Sequence, residues 1–121
     1  MRPYQVMLVE DSPDDVELTL WALAEVGLRE VQVAFNGGQA LKLLGEGRRP
    51  DLVLLDLKLP LVDGRAVLAR IRANPRLNAI PVVVLSASED LLDQAACKQL
   101  GATAFLAKPL DANELVALLQ L

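Results

Sequence analysis

The sequence predicts an α/β protein in which five parallel strands form one doubly wound sheet with helices on both faces. Short apolar runs alternate with segments of helical periodicity along the whole chain, which is typical of a (βα)5 unit. Three runs, VMLV, LVLL and VVVL, are apolar at consecutive positions, as expected for strands covered on both faces. The 121 residues suit a single core, so we expect one domain over residues 1–121.

Five apolar runs are predicted as strands. Their boundaries are Tyr4–Val9, Val31–Phe35, Leu52–Asp56, Pro81–Ser86 and Thr103–Lys108. The second and fifth runs, VQVAF and TAFLA, are more mixed in composition, which favours positions at the margins of the sheet. Right-handed crossovers between such strands place helices on both faces.

The first helix is predicted to begin after Ser12 as N-cap, with Pro13 at its first position, and to end near Gly27. Asp14 and Asp15 complement the dipole at its amino terminus. Its apolar stripe is Val16, Leu20, Leu23 and Ala24. The remaining helices are predicted at Gly38–Leu44, Gly64–Ala73, Glu89–Leu100 and Asp111–Leu121, with Asp63 as the N-cap of the third.

Composition narrows the class of function. The net charge is −4 and no run of Lys or Arg occurs, which disfavours direct binding of nucleic acid. No stretch is long and apolar enough to span a membrane. The lone Cys97 cannot form an internal disulfide, so we expect a cytoplasmic protein. The absence of histidine excludes imidazole zinc sites and histidine-assisted nucleophiles.

Polar residues follow or end four of the predicted strands. They are Glu10, Asp11, Asp56, Ser86 and Lys108. Because the carboxyl ends of parallel strands meet at one edge of a sheet, we expect these side chains to share a pocket. Carboxylates of this kind suit Mg²⁺, which prefers carboxylate and phosphate oxygens.

The same residues fit phosphoryl transfer to Asp56. Its carboxylate would attack a phosphoryl donor in line, and charge would develop on three equatorial oxygens. Mg²⁺ held by Asp11 and Asp56, the Ser86 hydroxyl and the Lys108 ammonium would contact those oxygens, with Glu10 acting through a metal-bound water. Each acidic residue alone could equally cap a turn, but four strand ends with such residues make a purely structural interpretation much less plausible.

The motifs VEDS, DLKLPLVDG, LSAS and FLAKP resemble those of bacterial response-regulator receiver domains, over essentially the whole chain. The resemblance implies a flavodoxin-like fold with strand order 2-1-3-4-5 and a phosphorylation-activated switch. Asp56 would accept the phosphoryl group from a histidine kinase or histidine phosphotransfer protein. The backbone carbonyl of Lys58 would be a further Mg²⁺ ligand, and Lys108-Pro109 would be a cis peptide.

Several positions depart from the commonest pattern of the family. The acidic pair is Glu-Asp, and Ser86 replaces a threonine. The switch aromatic is Phe105 where tyrosine is common, so Ser86 and Phe105 would form the switch. Lys58 and Ser88 would flank the path of the hydrolytic water, which leaves the lifetime of the phosphoryl group open. EDSPDD and NPRLNAIPVVVLSAS resemble stand-alone receivers associated with phytochrome-like or hybrid kinases.

The resemblance also implies an output surface formed by the fourth helix, fifth strand and fifth helix, through which a downstream protein or a second copy would bind. The last helix leaves little polar surface, which favours a homodimer there. Its apolar residues are Leu115, Val116, Leu118, Leu119 and Leu121. The domain would catalyse only its own phosphorylation and dephosphorylation.

Two other functions compete with this interpretation. An aspartyl-phosphate phosphatase would carry a second aspartate two residues after the nucleophile, where this chain has Lys58. A flavin- or nucleotide-binding module would need glycines or hydroxyls in the first loop, which reads EDSPDD instead.

Other prominent residues are predicted to be structural. Trp21 would cover surface apolar area and Cys97 would be buried or half-buried, while Asp51 lies at the opposite edge of the sheet and Arg48-Arg49 forms a solvated turn.

Overall fold

The computed structural model describes residues 3–47, 49–60, 62–87 and 91–121. It contains one sheet of five parallel strands in the order β2-β1-β3-β4-β5, which confirms the predicted topology. The strands are β1 (Gln5–Val9), β2 (Glu30–Ala34), β3 (Leu52–Asp56), β4 (Val82–Ser86) and β5 (Ala104–Ala107). The helices are α1 (Pro13–Glu25), α2 (Gly37–Gly45), α3 (Gly64–Ala73), α4 (Leu91–Gln99) and α5 (Ala112–Leu119).

The sheet separates two hydrophobic cores. Successive strand residues point to opposite faces, so Met7 and Val53 enter one core while Val6 and Leu52 enter the other. The first core is closed by buried residues of α2, α3 and α4, and the second by buried residues of α1 and α5. The continuous apolar runs of the central strands are buried throughout, as covered parallel strands should be.

The helix boundaries agree closely with the predicted ones. Ser12 caps α1 by accepting a hydrogen bond from the Asp15 N–H, and Asp63 caps α3 by accepting one from the Arg65 N–H. Helix α1 ends at Glu25, and Gly27 follows it with a φ of +82°, in the left-handed region that glycine adopts readily. The predicted start of the fourth helix, Glu89, lies outside the described residues, as do Ser88 and Arg48.

The apolar stripe of α1 is only in part the predicted one. Val16 and Leu23 are buried as expected, whereas Leu20 and Ala24 are only partly buried. Thr19 takes a buried position beside them. A threonine fits there because it is short and its methyl group is apolar, a possibility that hydrophobic periodicity does not reveal.

The residues predicted to be structural lie where expected. Trp21 is 67% exposed on α1, and Cys97 is buried. Asp51 precedes β3 at the opposite edge of the sheet from Asp56, and its carboxylate accepts a hydrogen bond from the Gln5 N–H. Arg49 is exposed and donates to the Arg76 carbonyl. Among the described residues, every helix falls short of the length and apolar character that crossing a bilayer requires.

Candidate functional site

The topology brings the predicted site residues to one edge of the sheet. Asp56 and Ser86 are the last residues of the adjacent strands β3 and β4, and Glu10 and Lys108 directly follow β1 and β5. Register fixes their neighbours, because Asp56 pairs with Leu85, and Ser86 pairs with Ala107. The Lys108 N–H also donates to the Ser86 carbonyl at 3.0 Å, which continues the pairing of β4 and β5 beyond the strand.

The Lys108 ammonium lies among three carboxylates. Its Nζ is 2.5 Å from Glu10 Oε1, 3.1 Å from Asp15 Oδ2 and 3.4 Å from Asp56 Oδ2. The Lys108-Pro109 peptide bond is cis, as the resemblance implied. The convergence of Lys108 on Asp56, which the sequence predicted across 52 residues of chain, is therefore present in the fold.

Three carboxylates at this edge form a cluster suited to a metal ion. Oxygens of Glu10, Asp11 and Asp56 lie within 4.8 Å of one another. Glu10 and Asp56 are buried and Asp11 is exposed, so the cluster opens to solvent on one side. An all-oxygen set of few protein ligands with access to water fits a small hard divalent cation.

Burial and crowding shift the proton affinities of the two most enclosed groups. Burial raises the pKa of Glu10 to about 7, and the neighbouring Asp56 adds to the rise against the opposing effect of Lys108. Burial alone would lower the pKa of Lys108, but its hydrogen bonds to Glu10 and Asp15 and the charge of Asp56 raise that pKa to about 12. Lys108 is therefore a permanent cation that offsets part of the negative charge.

The loop after β3 holds the Asp56 carboxylate and approaches α3 closely. The Lys58 N–H donates to Asp56 Oδ1 at 3.2 Å, and the Gly64 N–H donates to the Leu57 carbonyl. A Cβ on Gly64 would lie 2.5 Å from the Asp56 carbonyl oxygen and 2.7 Å from that of Leu57. Only glycine allows this approach, so Gly64, which follows the N-cap Asp63, also sets the position of the Asp56 backbone.

The predicted switch residues lie on β4, which pairs with β3, and on β5, which pairs with β4. Ser86 is buried at the end of β4. Phe105 is partly buried on β5, opposite Val84, and packs against the core under α4. It lines a groove of about 480 Å³ together with residues of α4, namely Leu91, Gln94, Ala95 and Lys98. The Phe105 side chain therefore lies on the strand that pairs with β4, and it borders an open groove.

Sequence reasoning missed one member of the site, Asp15. The sequence placed it only as a charge complementing the dipole of α1, yet its carboxylate accepts a hydrogen bond from the Lys108 ammonium. The available signal was its place in the first turn of α1, shortly after the acidic residues that follow β1.

Comparison with known proteins agrees with this geometry. A family model described as the response regulator receiver domain matches residues 6–120. The structure of the bacteriophytochrome response regulator AtBRR is 40% identical, with a TM-score of 0.88 over 99% of this chain and 92% of that one.

Two further relatives are similar over almost the whole chain. Response regulator Rcp1 of Synechocystis sp. is 38% identical over 98% of this chain and 85% of its own. The crystal structure of its Mn²⁺-bound form has a TM-score of 0.81 at 37% identity, covering 98% and 90% of the two chains. The structure of the phosphorylated cyanobacterial phytochrome response regulator RcpA has a TM-score of 0.83 at 36% identity, with the same coverage. The chain spans only 47% of the length of a matched transcriptional regulator of Mycobacterium tuberculosis.

Proposed function

The chain belongs to the family of response regulator receiver domains, phosphorylation-activated switches that receive phosphoryl groups from histidine kinases, and we propose that Asp56 is its phosphoacceptor. Residues 1–121 would form one such domain. The observation that carries the proposal is the position of the Lys108 ammonium, 3.4 Å from a buried Asp56 carboxylate at the edge where the acidic cluster lies. A histidine kinase or a histidine phosphotransfer protein would be the donor.

Asp56 acts as the nucleophile in this proposal. One of its oxygens forms a bond to phosphorus while the bond from phosphorus to the donor's imidazole nitrogen breaks, and the nitrogen keeps the electron pair. Lys108 lies beside the position of the incoming phosphoryl oxygens, and Ser86 ends the neighbouring strand with a hydroxyl that can donate to them. The Lys58 N–H fixes the acceptor carboxylate before the reaction.

Glu10, Asp11, Asp56 and the backbone carbonyl of Lys58 would hold a divalent metal ion, which we propose to be Mg²⁺. The Mn²⁺-bound form of Rcp1 supports a divalent ion in a receiver of this kind. When bound, the ion supplies positive charge that offsets the carboxylates and the phosphoryl oxygens. The chain's own contribution is to orient the ligands, two of which are buried and held by hydrogen bonds.

The output of the switch would pass through the surface formed by α4, β5 and α5. Ser86 would move toward the phosphoryl group, and Phe105 would turn further into the core beside the groove. Leu118 and Leu121 are 44% and 49% exposed, which supports binding of a downstream protein or a second copy there. The domain would catalyse only its own phosphorylation and dephosphorylation, in the reducing cytoplasm that suits a lone buried thiol.

The test is the intact mass of the protein after incubation with acetyl phosphate and Mg²⁺. We expect one phosphoryl group on the wild type and on Asp51→Asn, a control that removes a carboxylate at the opposite edge of the sheet. We expect none on Asp56→Asn. Equal labelling of Asp56→Asn and wild type would contradict the assignment of the acceptor.

A further inference from the structure

A fourth carboxylate, Asp15, competes for the Lys108 ammonium at the site. Its Oδ2 is 3.1 Å from Lys108 Nζ, closer than the 3.4 Å that separates Nζ from Asp56. Asp15 lies on the first turn of α1, and its side chain is 40% exposed, against 8% for that of Asp56. It therefore holds Lys108 from the solvent side of the pocket, outside the acidic cluster formed by Glu10, Asp11 and Asp56.

We propose that Asp15 is a positioning residue that holds the Lys108 ammonium in the unphosphorylated protein and limits the rate at which Asp56 becomes phosphorylated. The inference rests on the proposed function, because it concerns the same acceptor. Lys108 has three N–H donors, and it hydrogen-bonds to Glu10 and Asp15, whereas Asp56, at 3.4 Å, is the farthest of its three ion-pair partners.

The incoming phosphoryl group needs that ammonium. Charge grows on the phosphoryl oxygens as the bond to Asp56 forms, and the Lys108 ammonium, 3.4 Å from Asp56 Oδ2, is a cation placed to contact them. An N–H of Lys108 that donates to Asp15 is not available to those oxygens. Glu10 competes as well, but it belongs to the acidic cluster, whereas Asp15 has no such second role among the contacts described.

The competing interpretation is that Asp15 only complements the dipole of α1. Asp14 provides a matched control, since it lies in the same helical turn, carries the same charge and is exposed. Among the described residues, the carboxylates paired with Lys108 are those of Glu10, Asp15 and Asp56, so Asp14 is not one of them. Neutralising either residue changes the net charge and the dipole interaction equally, and only one change releases Lys108.

The experiment measures the rate of phosphorylation by acetyl phosphate with Mg²⁺ for wild type, Asp15→Asn, Asp14→Asn and Asp15→Glu. We expect Asp15→Asn to react about twofold to fivefold faster than Asp14→Asn, the range that a partly exposed ion pair accounts for. Asp15→Glu keeps a carboxylate within reach of Lys108 and should return the rate toward that of wild type. Urea unfolding should give similar stabilities for the two asparagine variants.

The outcomes separate this inference from the proposed function. Equal rates for Asp15→Asn and Asp14→Asn, or a slower rate for Asp15→Asn, would overturn the competition for Lys108 while leaving Asp56 as the acceptor. A rate for Asp15→Glu as high as that of Asp15→Asn would overturn it too, because the carboxylate would then not be the cause. Labelling of Asp56→Asn would instead overturn the proposed function.

Discussion

Helices α3 and α4 lie on the same face of the sheet, yet they are anchored to it very differently. Helix α3 buries residues at the spacing of one helical face, which are Gly64, Val67, Leu68 and Ile71. In α4, Cys97 is the one buried residue. Leu91 and Leu92, at the start of α4, are 77% and 79% exposed.

The difference matches the two tasks of a switch. The start of α3 touches the backbone of Asp56 through Gly64, so the loop of the proposed acceptor rests on a well-packed helix. The start of α4 lies beside Phe105 and the open groove, through which we propose that the switch acts on a partner. Few buried contacts make local opening easier, which suits the part of the fold that has to change.

The largest effect should come from removing an anchor of α3. Leu68→Ala deletes a fully buried side chain, and we expect it to lower the free energy of unfolding by about 2–5 kcal/mol. The matched change on α4, Leu91→Ala, removes an exposed leucine and should alter it by no more than about 0.5 kcal/mol. Urea titration followed by circular dichroism measures both. A loss for Leu91→Ala comparable to that for Leu68→Ala would remove the contrast between the helices.

A smaller effect is expected where α3 meets the acceptor loop. Gly64→Ala places a methyl group 2.5 Å from the Asp56 carbonyl oxygen, which forces the loop to shift and should cost about 1–3 kcal/mol. Gly45→Ala at the end of α2 meets no atom within 4 Å and should be neutral or stabilising by up to about 1 kcal/mol, because alanine favours helix. Gly64→Ala should also slow phosphorylation of Asp56, while Gly45→Ala should not. Equal free energies of unfolding for Gly64→Ala and Gly45→Ala would show that the loop accommodates the methyl group.

The sequence predicted the edge of the sheet that carries Asp56 more fully than it predicted the different burial of α3 and α4. Continuous apolar strands fix which residues end at the common edge, so the convergence of Lys108 on Asp56 was predictable from topology. The Lys108 contact with Asp15 was not, because it depends on where the first turn of α1 lies relative to β5. The pattern LLDQAACKQ does not reveal that both leading leucines stay exposed. The presence of an apolar residue does not determine whether its face of the helix is covered.

The same edge of the sheet should also make stability depend on pH, through Glu10. The pKa of Glu10 is raised from 4.5 to about 7, so the folded protein binds this proton more tightly than the unfolded chain does. That contribution to stability is complete below about pH 4.5 and is lost as pH rises through about 7. In EDTA, the free energy of unfolding of wild type should therefore fall by up to about 2.5 kcal/mol between pH 5 and 8 relative to Glu10→Gln. The chain has no histidine, which keeps this pH range nearly free of other titrations. If the free energies of unfolding of wild type and Glu10→Gln change with pH in parallel, the raised pKa of Glu10 is contradicted.

The smallest effect on global stability should come from the ion pair that ties the two helices together. Arg65 in the first turn of α3 contacts Asp93 in the first turn of α4, with side-chain exposures of 43% and 17%. A double-mutant cycle with Arg65→Gln and Asp93→Asn should give a coupling of about 0.2–1 kcal/mol, as is usual for partly exposed pairs.

The local effect of the same pair should be clearer, and Cys97 reports it. The thiol is the buried anchor of α4, and burial raises its pKa, so alkylation by iodoacetamide at pH 8 requires α4 to open. We expect Arg65→Gln to speed alkylation severalfold over Lys98→Gln, a control that removes a cation from the last turn of α4. Arg65 itself lowers the pKa of the thiol, so its removal alone would leave less thiolate and slow the reaction. Faster alkylation of Arg65→Gln must therefore come from freer movement of α4. If Arg65→Gln is alkylated no faster than Lys98→Gln, the ion pair does not restrain the helix.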